Sequence, residues 1–548
     1  VRVPLSMLFG DLPISNMVLN NPTINQVKNY INYDLDLADV IQRVLSHPSV
    51  ASKSFLITIG DRTVGGLVAR DQLVGKYQMP TSNYAMATKS FLGNEGDVLS
   101  IGEKPTIAIK NPGASLRMAL AEALMNLSSA PVKSLDLIRL SANWMAACGD
   151  DEDNYALRLG VEALSSMCIE LGIAVPVGKD SLSMRTRWSE VDKDFEVKSP
   201  LSGVITAMAP LEDVSLAITT EFNQHGSKNL YHLFLNNECR LGGSIFEEVT
   251  SSAVQEVPDI DDIASFQNLF TSIQDLIQKG WIVALHDISD GGIFTAVTEL
   301  SFTNKIGIEL LIPENSSKEE IIGYLFAEET GAVVQFHSKY EQEALHYLNQ
   351  KNIENRKCGV QQSDASISLS LNNNIEFFDS VVNLEKIWSE TSFSIKSSRD
   401  NPVSAKDEFD LIDKFDDQGL VAKDSFEFSA KLPAFEEKFK PKVAIFREQG
   451  VNGQNEMAAA FMLAGFDATD IHMQDLLDNP DLLSEFQGLA ACGGFSYGDV
   501  LGAGGGWSSS IIYNDAVRDS FEHFFNRNET FTFGAVSYTH LRAHETRS

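Results

Sequence analysis

The sequence predicts a chain of two classes: α+β through residue 395, then α/β with a parallel sheet from Lys442. Three observations carry this. Between residues 33 and 395, short apolar strands and amphipathic helices follow one another without a fixed alternation. From Lys442 the pattern becomes βαβ, with strands at 443–446, 468–472 and 489–492 separated by helical stretches, the first at 456–464. The stretch WIVALHDISDGG (281–292) then runs a buried-type strand, Ile282 to Leu285, into two carboxylates, a hydroxyl and two glycines, with a helical pattern from Ile293. Glycines permit close backbone approach, amides opening a helix suit phosphate oxygens, and carboxylates suit the Mg²⁺ that accompanies a polyphosphate. The plainer reading of the same stretch is a βα turn with an Asp cap and a Gly-Gly bend.

Bulk properties narrow the function classes. A chain of 548 residues corresponds to about three or four domains. Hydrophobic content of 43% and charged content of 22% belong to a globular protein, and no apolar run has the length of a membrane span. The five cysteines, Cys148, Cys168, Cys239, Cys358 and Cys492, are scattered and odd in number, which points to a reducing, cytoplasmic setting rather than a disulfide framework. A net charge of −32 argues against a sequence-independent nucleic-acid binder. The chain starts at Val1 without Met and ends in VSYTHLRAHETRS, a tail of abruptly different composition, so both ends read as cut.

Taken in order, residues 1–32 are rich in Asn and Pro and read as a connector. Leu37, Val40, Ile41, Val44 and Leu45 mark a helix that stops at Pro48. Residues 55–59 and 64–69 read as the two strands of a hairpin around Gly60-Asp61-Arg62. Strands at 106–110, 135–140, 173–177 and 201–209 and helices at 115–127 and 154–171 complete one α+β domain, 33–205. A second, 206–395, contains the strand 230–235, the loop Leu241-Gly242-Gly243-Ser244, the helix 264–279, the HDISDGG turn, and Phe326-Ala327-Glu328-Glu329-Thr330-Gly331-Ala332 leading into the strand 333–336. Residues 396–440 are acid-rich and read as a solvated linker, and 441–535 as the α/β unit.

Certain side chains are placed where chemistry could use them. On the helix 115–127, Glu122 and Asn126 stand at i and i+4 in an otherwise apolar surround, with Ser115 and Ser129 continuing the polar stripe. A carboxylate beside an amide oxygen suits Mg²⁺; the alternative is a surface pair. The run Asp150-Asp151-Glu152-Asp153 reads as solvated surface, and Gly178-Lys179-Asp180-Ser181 as a phosphate or acid contact, or an ordinary surface lysine.

Together PLSMLFGDLP, AEALMN, SANWMAACG, VPVGKDSLSMRTRW and HDISDGG resemble the long, single-chain form of phosphoribosylformylglycinamidine synthase (FGAM synthase), with similarity from about residue 4 to 535. The resemblance implies AIR-synthetase-like N and C domains, the second of two tandem copies, followed by a truncated class I glutamine amidotransferase with a flavodoxin-like parallel sheet. It implies an ATP-dependent carbon–nitrogen ligase of de novo purine synthesis that converts formylglycinamide ribonucleotide, ATP and glutamine to the amidine, ADP, phosphate and glutamate. The implied parent is cytoplasmic and monomeric, with small-molecule substrates and no nucleic-acid or membrane partner. The second copy resembles an auxiliary nucleotide–Mg²⁺ site, which places metal ligands at Asn83, Glu122, Asn126 and Asp287 and nucleotide contacts (ATP/ADP) at Ser82 and Ser289. The family's Ala-Asp appears here as Ser82-Asn83, so that corner lacks a charge.

The end of the chain resembles the amidotransferase through Arg447-Glu448-Gln449-Gly450-Val451-Asn452 and Cys492-Gly493-Gly494-Phe495-Ser496-Tyr497-Gly498-Asp499. Gly493 and Gly494 are oxyanion candidates. Cys492 is not expected to be the nucleophile, because the family's cysteine lies on the next strand, at a position held here by Val536. His540, His544 and Glu545 do not match the family's downstream motif, and residues 536–548 resemble adapter or vector sequence. The chain is therefore expected to be an internal fragment, inactive alone, of an FGAM synthase. The alternatives are a catalytically silent nucleotide–Mg²⁺ module or, less well matched, a stand-alone AIR-synthetase-like enzyme.

Overall fold

The structure, a computed structural model, describes residues 3–10, 29–33, 35–60, 62–63, 65–190, 193–372, 374–415, 440–502 and 504–535. The chain divides into two compact units. The first is built on two sheets. Its earlier sheet uses β1 (Val68–Arg70), β2 (Ala85–Thr88), β3 (Gly96–Gly102), β4 (Arg139–Met145), β5 (Ala174–Ser181) and, after the hairpin β6 (Arg185–Glu190) and β7 (Lys193–Lys198), β8 (Ser202–Leu211). Their order is β1-β2-β3-β8-β4-β5, antiparallel from β2 to β4 and parallel between β4 and β5.

The later sheet has seven strands: β9 (Gly226–Phe234), β10 (Ile282–Asp287), β11 (Gly307–Leu311), β12 (Gly331–His337), β13 (Glu354–Gln362), β14 (Ser366–Leu371) and β15 (Asn374–Ser380). It is ordered β10-β12-β9-β13-β11-β14-β15. The helix Pro112–Leu127 packs on the earlier sheet through Leu116, Ala119, Leu120, Ala123, Leu124 and Leu127, all fully buried. This core runs on without a break into Phe266, Leu269 and Phe270 of the helix Ile263–Gln278. Buried Gln274 stitches the two halves: its Oε1 accepts from Val132 N at 2.7 Å and its Nε2 donates to Ser128 O at 2.7 Å. An amide that satisfies both of its ends in this way holds the halves in one register.

The second unit carries β16 (Lys442–Arg447), β17 (Asp467–His472), β18 (Gly488–Ala491) and β19 (Phe531–Gly534), ordered β17-β16-β18-β19 and parallel throughout. The expected mixed class, with a parallel sheet from Lys442, is what the molecule shows.

Several local expectations are corrected. Residues 106–110 are not a strand. Pro105–Ala108 form a helical turn, with proline at its opening position where its missing N–H leaves nothing unpaired. The hairpin over 55–69 is absent as well: Ser54–Ile57 are one helical turn, started where Ser54 N donates to Ser52 Oγ, and Asp61 and Val64 lie outside the described residues. Leu135–Leu137 are a short 3-10 turn, so the strand begins only at Arg139 and carries Ser141-Ala142-Asn143-Trp144-Met145.

The acid-rich segment from 396 is not simply a solvated linker. A helix runs through Val381–Arg399, and Asn401 caps a second, Pro402–Asp410, by accepting from Val403 N and Ser404 N. Phe393 stacks on Phe409 at 4.5 Å between centroids and Ala405 is buried, so an apolar stripe lies beneath the exposed acids. Residues 416–439 lie outside the described residues. In the run 150–153, Asp151 and Glu152 are exposed, but Asp150 caps the helix Asp151–Leu171. Asp150 also accepts from Arg185 at 3.0 Å and from Lys198, and Asp153 accepts from Lys198 at 3.1 Å. Asp150's carboxyl is held well below the usual range, first by its bond from Lys198 and then by the amide of Asp153. Among the described residues no helix is long and apolar enough to cross a membrane.

His232 on β9 lies against Phe234 and Tyr324, and burial, helped by the Arg356 charge, pushes its imidazole down to about 3. The unfolded chain takes up this proton near pH 6.5, whereas the folded chain does not until about 3. The stability due to neutral His232 is thus complete above pH 6.5 and is lost as pH falls toward 3, by up to ~1.4 kcal/mol per pH unit. Urea unfolding at pH 7, 6 and 5 should show this slope, and His232→Phe should flatten it.

Candidate functional site

Two loops of the first unit converge: the end of β3 with the helix Pro112–Leu127, and the turn after β10 with the helix Gly292–Asn304. The polar stripe predicted on Pro112–Leu127 lies along the backbone that leaves β3. Asn126 Nδ2 donates to Ile101 O at 3.1 Å, Glu122 Oε2 accepts from Glu103 N at 2.6 Å, and Ser115 Oγ donates to Lys104 O at 2.6 Å. Gly102 makes this approach possible, because a Cβ there would run into Ala119 O and Ala123 N. Glu122 and Asn126 are therefore not a free surface pair.

Backbone 103–104 is thus held against the helix, and the Lys104 side chain, 3% exposed, reaches into the turn after β10. Its ammonium donates to Ser289 Oγ at 2.9 Å and to Asp290, and stands 3.7 Å from both Glu122 Oε1 and Glu328 Oε2. Ser289 Oγ in turn donates to Glu122 Oε1. Glu328, 2% exposed, accepts from Gly291 N and Ile245 N, both at 2.9 Å. At least one amide that the sequence offered to phosphate is therefore bonded to a carboxylate of the protein. Gly292, at φ +71°, has no room for a side chain: a Cβ would stand 2.5 Å from Leu325 O.

Asp287, 5% exposed, pairs with His286 Nδ1 at 3.1 Å, while His286 Nε2 meets Glu299 at 2.7 Å. The electrostatics follow. Burial disfavours the Lys104 ammonium, but Asp290, Glu122 and Glu328 outweigh it and hold Lys104 well above its ordinary range. Burial raises Glu122 and Glu328, opposed by Lys104 and reinforced by Asp290. Burial also opposes charge on His286, yet its bonds to Asp287 and Glu299 push it up to about 10, so the ring is an imidazolium.

Of the residues predicted for the site, Glu122 and Ser289 touch, and the Asp287 charge contributes to raising Glu122. Asn126 is on the same helix face as Glu122. Ser82 and Asn83 are turned to local partners: Ser82 Oγ donates to Tyr84 O at 2.8 Å and Asn83 Nδ2 to Ser129 Oγ at 3.2 Å. Lys179 lies on edge strand β5 and donates to Ser181 Oγ at 2.7 Å. Sequence reasoning missed Lys104, Glu328 and the His286 imidazolium. The signal for Glu328 was an acid three residues ahead of a strand, Gly331–His337, that is apolar but for Gln335 and His337.

The donor chemistry suits Mg²⁺. Six carboxylates (Glu103, Glu122, Asp287, Asp290, Glu299, Glu328) face three cations (Lys53, Lys104, His286), which leaves a net negative site. Among the described residues no three His, Cys, Asp or Glu side chains converge to enclose an ion unaided.

In the second unit, Cys492 follows β18 and is fully buried, and burial pushes its thiol up to about 12. A thiol so protonated is a poor nucleophile. The Gly493-Gly494 turn is tied to the loop after β16: Val451 bridges Gly494, Phe495 N donates to Gly450 O and Tyr497 N to Gln449 O, both at 2.9 Å. Val536 and His540, His544 and Glu545 lie outside the described residues.

Three domain families match along the chain. The FGAR-AT PurM_N-like domain matches residues 52–210, the C-terminal domain of AIR synthase related proteins matches 233–372, and the CobB/CobQ-like glutamine amidotransferase domain matches 440–537. Together the three matches support an FGAM synthase-like protein. Among solved structures, Thermotoga maritima PurL complexed with FGAR is 10% identical, with a TM-score of 0.47 over 64% of this chain and 53% of that one. PurLQS from Thermotoga maritima is 11% identical, with a TM-score of 0.45 over 64% and 52%. Thiamine-monophosphate kinase from Stenotrophomonas maltophilia is 11% identical, with a TM-score of 0.36 over 62% and 97%. This FGAM synthase-like chain thus spans about half the length of the PurL chains it matches.

Two outcomes follow for this FGAM synthase-like chain. Lys104→Met leaves buried carboxylates without their cation and should destabilise the first unit by roughly 3–5 kcal/mol. If the site accepts Mg²⁺, millimolar Mg²⁺ should restore more thermal stability to that variant than to the parent, as read by calorimetric melting. Cys492 should resist iodoacetamide at pH 8 in the folded chain and react once denatured, as mass spectrometry of the peptides will show.

Proposed function

We propose that this chain contributes the second synthetase-type copy and the opening of the glutaminase part of an FGAM synthase. The parent reaction would be the ATP-dependent conversion of formylglycinamide ribonucleotide and glutamine to formylglycinamidine ribonucleotide, ADP, phosphate and glutamate. The single observation that carries the reading for the first unit is the contact of Glu122 with Ser289, which brings together side chains from two differently folded halves around one buried charge cluster. The ligands are a nucleotide, ATP or ADP, with Mg²⁺. Glu122, Asn126 and Asp287 would supply oxygens to the cation, Asn83 a neutral oxygen, and Ser289 and Ser82 hydroxyls to phosphate. Bound Mg²⁺ would neutralise the polyphosphate charge.

The residues of the chain have separable tasks. Lys104 keeps Asp290 and Glu328 from repelling each other and holds the turn 288–292 against the end of β3. His286 does the same for Asp287 and Glu299. Gly493 and Gly494 would offer amides to a glutaminase oxyanion. A second reading, a catalytically silent nucleotide–Mg²⁺ module, draws support from these same internal ion pairs, which complete the cluster without any ligand.

Titration calorimetry with ADP and Mg²⁺ tests the binding reading. Saturable one-site binding, weakened at least ~tenfold in Asp287→Ala, is expected, a change of about 1.4 kcal/mol or more. Equal binding in the variant, or none in the parent chain at millimolar ADP, would remove the nucleotide from this site.

A further inference from the structure

The helix Gly292–Asn304, which follows the HDISDGG turn, is buried along nearly its whole length, and Glu299 is its single ionisable side chain. A carboxylate among buried residues is costly unless donors meet it. Two do, one at each oxygen. Trp388 Nε1 donates to Oε1 at 3.1 Å, and His286 Nε2 to Oε2 at 2.7 Å.

Neither donor is loosely placed. The Trp388 indole, 2% exposed, packs on Phe302 at 5.3 Å between centroids, and its Nε1 also donates to Val50 O at 2.9 Å. Phe302 lies one helical turn beyond Glu299, so one helix carries the acceptor and seats the donor. His286 is held at its other end, where Nδ1 donates to Asp287 Oδ1 at 3.1 Å. An ionised carboxylate can only accept, so both contacts of the ring require an N–H and fix the ring plane. Four side chains thus run from the helix Val381–Arg399 to the end of β10: Trp388, Glu299, His286 and Asp287.

The run ends in an open acceptor. Among the described residues, Asp287 Oδ2 accepts no hydrogen bond, whereas Oδ1 is engaged by His286. A cation held by Asp287 needs that carboxylate in one orientation, and a group already ordered loses little further freedom on binding. Side chains standing behind a metal ligand set affinity in this way, by about 10–100-fold.

Resting on the nucleotide–Mg²⁺ reading above, we propose that Glu299 and Trp388 are positioning residues for the cation ligand Asp287. Acting through His286, they hold its carboxylate with Oδ1 engaged and Oδ2 left for the cation. Neither is itself a ligand.

Glu299→Gln is the sharpest variant. Its side chain offers one acceptor to two donors, so its amide N–H must face either the indole or the imidazole N–H. Titration calorimetry of the full chain with ADP and Mg²⁺ should show binding weakened at least ~tenfold in Glu299→Gln. Trp388→Phe keeps a ring against Phe302 and loses only the donor, and should weaken binding about threefold. The second readout is NMR of the indole N–H groups in the full chain labelled at tryptophan, where the signal missing from Trp388→Phe belongs to Trp388. Saturating ADP and Mg²⁺ should move that signal in the parent and leave it unmoved in Glu299→Gln. A contact that only supports the fold would not transmit the ligand to the indole. Calorimetric melting confirms that each variant is folded; should Glu299→Gln unfold, Trp388→Phe and the parent's indole signal decide. Absence of ADP and Mg²⁺ binding in the parent would overturn the nucleotide reading and the positioning role with it. Parent-like affinity in both variants, or a Trp388 signal that stays still at saturation, would overturn the positioning role alone.

Discussion

The first unit depends on one buried ammonium. Lys104 sits where the carboxylates of Glu122, Asp290 and Glu328 converge from a helix, a turn and the entry to a strand. Without a cation at that point the carboxylates would repel one another in a space that water barely reaches, and the approach of the HDISDGG turn to the end of β3 would open. Lys104 reaches this place because its backbone is clamped to the polar stripe of Pro112–Leu127, and the clamp requires Gly102. A sequence of small local constraints thus ends in one long-range electrostatic one.

That arrangement bears on how a ligand would enter. Each carboxylate of the expected cation set already faces a protein cation, Glu122 with Lys104 and Asp287 with His286. A nucleotide–Mg²⁺ ligand would exchange partners with these groups rather than meet bare charge. Its binding would be linked to small shifts of Lys104 and Ser289, the two groups now hydrogen-bonded across the gap. The surplus of acids over cations leaves electrostatic room for such an exchange.

The second unit poses a different electrostatic problem. Its cysteine at the end of β18 has the position of a strand-end nucleophile but not the environment: the thiol is packed with Val443, Ile445 and Ala490. Position at the tip of a parallel sheet is therefore insufficient, because a thiolate also needs a nearby cation or an open path to water. The backbone of the glycine turn beyond it is held by the loop 449–451.

Periodicity and turn chemistry were enough to determine the parallel sheet from Lys442, the helix Leu37–Ser46, the long helices of the earlier α+β half and the strand–turn–helix at HDISDGG. These are legible because each is a local pattern whose apolar face is written in consecutive residues. The pairing of Glu122 with the HDISDGG turn came instead from family resemblance and from the i, i+4 spacing on one helix. Where local patterns were ambiguous, tertiary context decided. The apolar run 106–109 follows a proline and becomes a helical turn, and the acidic segment after 396 hides an apolar stripe that packs on a neighbouring helix. Lys104, Glu328 and His286 could not be assigned from sequence alone, since each looks like an ordinary surface charge until the chain around it folds. Burial and partner are properties of residues that meet in space, 185 positions apart for Lys104 and Ser289, and only the tertiary structure decides them.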